Sequence, residues 1–538
     1  MYALKTPSFL KPTSRPTSPA PGPPTRPDST APNERLPRPM SKLSFSNFKR
    51  TTSPLTQPSP SLVHDGSYME LLSLKLSEAI SKALAQPMGP GVPGEMLGGR
   101  RPIPAGRGRA LGDLIATEIE STRNDPHLHR AVVRTLHRPL SVLVTNLSGQ
   151  LIPLIASAAF LSPALPTVQA PNPNATQLHA LGLATFAGEV LDTFDELGLG
   201  TQDGDMRGDG LKGIRDSLVS TVKRVIEPLV TAIKNDLCPH IEGLEQPSNV
   251  VARTAGATKI SASHPSIVYL TSVMPVYARA LTRYITCATA ESSMASLIIS
   301  LLWRGLVALC NRPVPAASLT PPGSPPAGMK TLKDMKRRSS SSTPPPTPPA
   351  SRFTLKLPPS RPPSPPSATT KSTLAGDAKS LYDLLAMLPR PSHALAREAV
   401  DDGYDSLSSL VALLEFIQAG RAGTAAVLNL STELQALTTD IPVLVALPVL
   451  LRAFVFPPIS NASTQERTVA SMLGMSEQAY RNGCLSGFGR AEECVPAVGQ
   501  RILDVLQLCE GNPQGKDIVS RWLKAEVADA LLEQHQQH

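Results

Sequence analysis

The sequence predicts an all-α protein, folded as an irregular helical bundle or a solenoid-like stack of helices. Apolar residues recur at helical spacing in many stretches, whereas runs that alternate apolar and polar residues are scarce. Aromatic residues make up only 4% of the chain, and β-strands favour aromatic and β-branched side chains. No regular repeat of the tetratricopeptide, ankyrin or leucine-rich kind is present, so the stack is predicted to be irregular.

Two long proline-rich segments are predicted to be disordered: an N-terminal tail over residues 1–64 and a central linker over residues 311–375. Of the 56 prolines in the chain, 14 fall in the tail and 17 lie between Pro313 and Pro366. Proline disrupts helices and strands, and such polar segments bury too little apolar surface to offset the loss of chain entropy. We expect a bias towards polyproline II in both segments.

The rest of the chain is predicted to form two helical blocks, residues 65–310 and 376–538, each long enough for a hydrophobic core. Residues 87–109 are rich in Gly, Pro and Arg and are predicted to form a loop within the first block. The second block either packs on the first or folds as a separate domain, and both arrangements fit the sequence pattern.

The first block contains a long apolar stripe between Leu211 and Ile233. Pro228 lies within that stripe and predicts a kink or a break in the helix. Further helices are predicted in this block at 67–85, 110–122, 129–136, 178–197, 266–287 and 291–310.

The second block contains the clearest amphipathic helix, which runs from Asp405 to Gln418. Asp405 or Ser406 is predicted to cap its start, and Gly420 is predicted to follow its end. The last helix is predicted to start near Asp517. Further helices are predicted at 377–387, 464–480 and 497–510.

The net charge of +9 is concentrated in the two proline-rich segments. The tail carries nine basic and two acidic side chains, and the linker carries ten basic and one acidic. The remaining residues therefore carry a net charge of −7. The sequence thus combines a mildly acidic helical body with two strongly basic segments.

Both proline-rich segments contain serine or threonine residues followed by proline, the dipeptide that proline-directed kinases modify. Each phosphate adds about −1.5 to −2 charges, so about five phosphates would cancel the charge of the linker. We therefore hypothesise that phosphorylation weakens the electrostatic contacts of these segments. The candidate phosphorylation sites are Ser18, Ser53, Ser59, Thr320, Ser324, Thr343, Thr347 and Ser364, together with Ser340, which follows Arg337 and Arg338.

The same segments match docking patterns for SH3-type domains, in which a basic residue beside the prolines fixes the orientation of the peptide. Their charge also favours acidic partners, such as tubulin or an anionic membrane. Non-specific nucleic-acid binding is less favoured, because few aromatic residues accompany the basic ones. The candidate docking residues are Pro21, Pro24 and Arg26 in the tail, and Lys356, Pro359 and Pro362 in the linker.

No pattern in the sequence assigns a catalytic, cofactor-binding or metal-binding residue, and no cofactor is expected. His127, His129 and His137 cluster at a predicted helix start, where residues two apart point to different sides. The acidic run over residues 203–210 resembles a calcium loop only in part, because Arg207 and Ile214 occupy two ligand positions.

Two glycine-containing runs also fail as phosphate-binding motifs. Residues 511–517, GNPQGKD, lack the spacing and the Ser or Thr of a P-loop. Residues 482–490, NGCLSGFGR, follow no predicted strand, so dinucleotide binding is unsupported. Both runs are interpreted as turns next to helices.

One stretch of fifty residues, 139–188, contains no Asp, Glu, Lys or Arg. Its most apolar part, Leu140–Leu161, has the length of a membrane-spanning helix, but it carries polar residues where a span is most apolar. Segments 295–310 and 441–456 are apolar but too short to span. Buried core helices are therefore the favoured interpretation.

The function predicted from these observations is that of a non-enzymatic intracellular scaffold or adaptor. Helical surfaces and phosphorylation-regulated proline-rich segments would bind other proteins, in the cytoskeleton, the cell cortex or vesicle traffic. Six cysteines spread without any CxxC pair, and the absence of an apolar secretory core near the first residue, favour the cytoplasm. The alternatives are an enzyme with a helical fold and a membrane-associated protein that uses residues 139–188.

Overall fold

A computed structural model describes residues 61–88, 94–162, 165–201, 211–247, 263–313, 373–420, 430–456 and 467–536. These residues contain sixteen α-helices, one 3₁₀ turn, one π-helical turn and no strand. The predicted all-α fold is confirmed. The described residues belong to one compact unit, Pro60–His538.

Eight helices precede the central proline-rich segment. They are α1 (Ser61–Leu84), α2 (Arg107–Ser121), α3 (Pro126–Ile155), α4 (Ala158–Leu161), α5 (Ala175–Glu196), α6 (Lys212–Glu242), α7 (Pro265–Tyr284) and α8 (Ala288–Asn311), with the 3₁₀ turn at Gly243–Glu245.

Eight further helices follow that segment. They are α9 (Leu374–Leu385), α10 (Ala394–Gly420), α11 (Leu430–Thr438), α12 (Val443–Leu450), α13 (Val469–Leu473), α14 (Glu477–Cys484), α15 (Phe488–Leu508) and α16 (Pro513–Gln536), with the π-helical turn at Leu451–Val455.

Helix α8 joins the helices on the two sides of the proline-rich segment. It packs against α6 and α5 on one side and against α10, α12 and α9 on the other. Close approach is possible because Gly305 of α8 lies against Leu381 of α9, and Gly403 of α10 lies against Leu302. The buried apolar residues before and after the segment belong to a single hydrophobic cluster.

A buried ion pair lies where the chain leaves and re-enters the described unit. Arg312 follows α8, Asp377 lies in the first turn of α9, and their Nη1 and Oδ2 atoms are 2.6 Å apart. The two side chains are only 7% and 3% exposed. Arg452 adds a hydrogen bond of 2.9 Å from Nη1 to the carbonyl oxygen of Arg312. This ion pair therefore joins the described residues on the two sides of segment 314–372.

The N-terminus of α2 is stabilised by a carboxylate from another helix. Glu189 of α5 accepts hydrogen bonds from the backbone N–H groups of Gly106, Gly108 and Arg109, at 2.6, 2.8 and 3.1 Å. Arg107 donates to the carbonyl oxygen of Ala83 at the end of α1. The predicted loop 87–109 therefore ends earlier than expected, at the start of α2. The Arg107 side chain makes hydrogen bonds within the protein.

The apolar stripe from Leu211 to Ile233 is buried along α6, as predicted. Of the predicted kink or break at Pro228, no break occurs, because α6 continues through Pro228 and Pro239 to Glu242. The predicted helix 129–136 is likewise only part of α3, which continues through two prolines to Ile155. Packing of both helices on the core compensates for the backbone hydrogen bonds that proline removes.

Helix α10 begins eleven residues before the predicted start. Neither Asp405 nor Ser406 caps it: Ser406 is buried in mid-helix and donates to the carbonyl oxygens of Asp402 and Asp440. The predicted helix 464–480 is also wrong. Its described part forms α13 and α14, separated by Gly474, whose positive φ of 73° ends α13.

Of the described helices, α8 alone has the length and apolar composition to cross a membrane. The apolar segment 295–310 was predicted to be too short to span a membrane, but it is part of the longer helix α8, Ala288–Asn311. The structure buries 67% of its most apolar window, and a core helix has the same composition. The charge-free stretch 139–188 is divided, since α3 ends at Ile155 and α4 starts at Ala158.

Helix α16 begins at Pro513, four residues before the predicted start, and carries a carboxyl group with an unusual pKa. Burial, together with nearby Asp529, raises the pKa of Glu526 to about 7. A carboxyl with a raised pKa stabilises the folded state at low pH, and that stability is lost as the pH rises through the folded pKa.

We therefore expect Glu526→Gln to be more stable than the native protein at pH 8 and to lose this advantage near pH 5. Because part of the carboxyl is exposed, solvent screening limits the difference to about 1 kcal/mol. Urea unfolding at both pH values measures it, with the exposed Glu493→Gln as a control. Equal differences at pH 5 and pH 8 would contradict the raised pKa.

Candidate functional site: a groove along helix α8

A groove of about 1340 Å³ follows the outer face of α8. We call it the α8 groove. Its floor is formed by α8 from Ala288 to Ala308. Its walls come from the first turn of α10, from the turn between α14 and α15, and from acidic residues at the ends of α5 and α6 and in the 3₁₀ turn.

The floor is lined mainly by small hydroxyl and apolar side chains. Thr289, Ser292, Ser296 and Ser300 follow one another at helical spacing and therefore share one face of α8. Ser292 and Ser296 are exposed. Arg304, four residues after Ser300, adds a positive charge to the same face. The opposite face is apolar and buried in the core, as is normal for an amphipathic helix.

An aromatic pair forms one wall near the end of α8. Trp303 donates from Nε1 to the carbonyl oxygen of Leu485 at 2.8 Å, which holds the α14–α15 turn against α8. The rings of Trp303 and Phe488 are tilted, with centroids 4.7 Å apart. The run NGCLSGFGR, which failed as a dinucleotide motif, thus forms the turn at this wall.

The opposite wall is held in place by Glu291 of α8. Its carboxylate accepts from the backbone N–H groups of Ser392 and His393, at 2.8 and 2.9 Å, just before α10 begins. Burial opposes ionisation of Glu291, but the hydrogen bonds outweigh it, and its pKa lies below the usual value. This contact places Leu395, whose side chain is 72% exposed, at the rim of the groove.

The acidic side chains at the rim are paired with arginines. Glu242 pairs with Arg304, and Asp195 pairs with Arg215. Arg481 donates from Nη1 to Glu245 Oε2 at 2.8 Å. Hydrogen bonding to Glu245 outweighs burial and raises the pKa of Arg481. The lining itself contains three acidic and two basic residues.

The groove lacks the contacts of a nucleophilic active site. None of its serines, Ser292, Ser296, Ser300 and Ser486, donates a hydrogen bond to a histidine or a carboxylate. Beside the turn, burial and a hydrogen bond with Cys494 raise the pKa of Cys484 to about 11, so this thiol is protonated at neutral pH.

The histidine cluster likewise forms no metal site. Asp125 caps α3, so His127 and His129 lie in its first turn. Among the described residues, no group of three or more His, Cys, Asp or Glu side chains is placed to hold a metal ion.

All the candidate phosphorylation and docking sites predicted from the sequence lie outside the described residues. This holds for the acidic run 203–210 as well. The phosphorylation sites concerned are Ser18, Ser53, Ser59, Thr320, Ser324, Ser340, Thr343, Thr347 and Ser364, and the docking residues are Pro21, Pro24, Arg26, Lys356, Pro359 and Pro362.

The α8 groove was missed at the level of sequence, although one signal was present. The predicted helix 291–310 has serines on its outer face, but its neighbours in the groove are up to about two hundred residues away. No family model, curated protein or solved structure matches this chain. The function is therefore argued from the geometry of the groove.

Proposed function

We propose that this chain is a non-enzymatic intracellular scaffold whose α8 groove binds a segment of another protein. Its basic proline-rich segments would recruit further partners under the control of proline-directed kinases. The observation that carries the proposal is an open groove between helices, with a floor mainly of hydroxyl and apolar side chains and a rim of ion pairs.

The character of the lining supports binding rather than chemistry. The half-buried Phe488 and the exposed Leu395 provide apolar contact area, and exposed serine hydroxyls provide hydrogen-bond partners for a polypeptide backbone. The alternative of an enzyme has less support, because the groove serines have no base and the nearby thiol is protonated. The alternative of a membrane protein rests on α8, which is packed inside the described unit.

Filling the groove tests the proposal. Ser296 lies in the middle of the floor, and tryptophan at this position would occupy the space that a partner needs. We expect Ser296→Trp to lose at least one partner by tenfold or more in quantitative affinity capture, compared with the native chain. Ser141→Trp is the matched control, because Ser141 is an exposed helix residue of α3 outside the groove.

Both variants must keep the native helical circular dichroism and thermal midpoint for the comparison to count. An identical partner list for Ser296→Trp and Ser141→Trp would overturn the assignment of the groove as a binding site. A partner lost from both variants would show that tryptophan outside the groove has the same effect, so this loss would not be specific to the groove.

A further inference from the structure

We infer that the α8 groove is a docking site for an extended, basic, proline-containing peptide, and that its occupant is this chain's own segment Arg352–Pro362. The segment reads RFTLKLPPSRP and contains the docking pattern formed by Lys356, Pro359 and Pro362. The inference rests on the proposed function, since it names the kind of segment that the groove binds.

The length of the groove accommodates a short extended segment. From Ala288 to Ala308, α8 rises about 30 Å. In the polyproline II conformation, about ten residues span 30 Å.

The attachment of the segment brings it to the groove. The contact between Arg312 and Asp377 joins the described residues on the two sides of segment 314–372 beside the end of α8. The groove begins at Ala308, about 6 Å along the helix from Arg312. Pro362 lies eleven residues before Thr373, a stretch that reaches about 36 Å. Tethering of this kind gives an effective concentration of about millimolar.

The segment is basic, and the groove lining has one more acidic than basic residue. Arg352, Lys356 and Arg361 are basic, and the segment has no acidic residue. Asp195 and Glu242 at the rim are 39% and 51% exposed and are held only by surface ion pairs. A basic residue of the segment could replace Arg215 beside Asp195, or Arg304 beside Glu242, at a cost of about 1 kcal/mol or less, because both ion pairs are exposed.

The apolar residues of the segment match the floor and the aromatic wall. Phe353, Leu355 and Leu357 alternate with polar residues, so a β-extended conformation of this half of the segment would present them on one side. The proline half of the segment would take the polyproline II conformation, and prolines pack well on aromatic rings, of which the half-buried Phe488 supplies one. Ser364, two residues beyond the segment, is a candidate phosphorylation site. A phosphate there would face the acidic rim and weaken docking.

Competition for the groove tests the inference. The probe is a fluorescein-labelled peptide with the sequence of residues 352–362, followed by fluorescence anisotropy. The native full-length chain is compared with the triple variant Lys356→Ser, Pro359→Ala, Pro362→Ala, whose own segment is impaired. We expect the triple variant to bind the peptide at least tenfold more tightly, because the tethered copy no longer competes.

Two added substitutions locate the binding. In the triple variant, Ser296→Trp is expected to abolish peptide binding, whereas Ser141→Trp is expected to leave it unchanged. As an independent measurement, carbodiimide cross-linking of the native chain should join Lys356 to Glu242 or Glu245. Lys330 and Lys371, in the same proline-rich segment, serve as internal comparisons and should cross-link less to these carboxylates.

Equal peptide affinity for the native chain and the triple variant would overturn docking within the chain. Absence of peptide binding to both would overturn the assigned occupant altogether. Neither outcome touches the proposed function, which depends on the partners lost by Ser296→Trp in affinity capture.

Discussion

Replacing Asp377 by alanine should lower the free energy of unfolding by about 3–5 kcal/mol, because it leaves the guanidinium of Arg312 buried without its carboxylate. Both side chains are almost completely buried, and their atoms are 2.6 Å apart. The loss should appear as a lower urea midpoint of unfolding. It should also weaken the contact between α8 and α9, the first helices on either side of segment 314–372.

Two comparisons separate the buried charge from ordinary surface effects. Glu493→Ala removes the carboxylate from Arg490, but both groups are more than half exposed, so we expect a loss of at most about 1 kcal/mol. The double variant Arg312→Met, Asp377→Leu removes both charges and should recover most of the stability. Equal losses for Asp377→Ala and Glu493→Ala would contradict the role of the buried pair.

Limited proteolysis provides a second readout of the same contact. Cleavage near Arg338 divides the native chain within the proline-rich segment. We expect the two fragments to stay associated through size-exclusion chromatography, because α8 packs against α9, α10 and α12. Fragments of Asp377→Ala should separate at a lower urea concentration than native fragments.

Helix positions were largely predictable from the sequence, whereas helix ends were not. The helix that carries the stripe from Leu211 to Ile233 could be predicted from the spacing of its apolar residues alone, because this spacing is a local property of the sequence. At the starts of α2 and α10, backbone N–H groups donate to Glu189 of α5 and Glu291 of α8 respectively. Both carboxylates are distant in the sequence and lie on other helices. A search for local capping residues therefore placed the start of α10 too late, near Asp405.

The groove depends on contacts that no local pattern contains. Its wall at Phe488 meets α8 because Trp303 donates to Leu485, a contact across 182 positions. The serines on α8 were visible in the sequence, but a helix face of small residues is also typical of close helix packing. Only the arrangement of the neighbouring helices leaves that face open.

The run GNPQGKD shows how tertiary packing explains a glycine that resembles a motif residue. Gly515 lies in the first turn of α16, directly against the π-helical turn Leu451–Val455. A Cβ atom at this position would stand 2.5 Å from the carbonyl carbon of Phe454 and closer still to its oxygen. The obstacle is backbone, which cannot rotate away as a side chain can. The glycine is therefore required for packing between α16 and this turn.

Gly515→Ala should consequently destabilise the protein by about 1–3 kcal/mol, the usual cost of overpacking, despite the better helix propensity of alanine. Gly213→Ala is the matched control, because Gly213 also lies in the first turn of a helix and no atom lies within 4 Å of its Cβ position. We expect Gly213→Ala to raise stability by about 0.4–1 kcal/mol. Urea unfolding of both variants measures the two effects, and a stability gain in Gly515→Ala would show that α16 does not pack on Phe454.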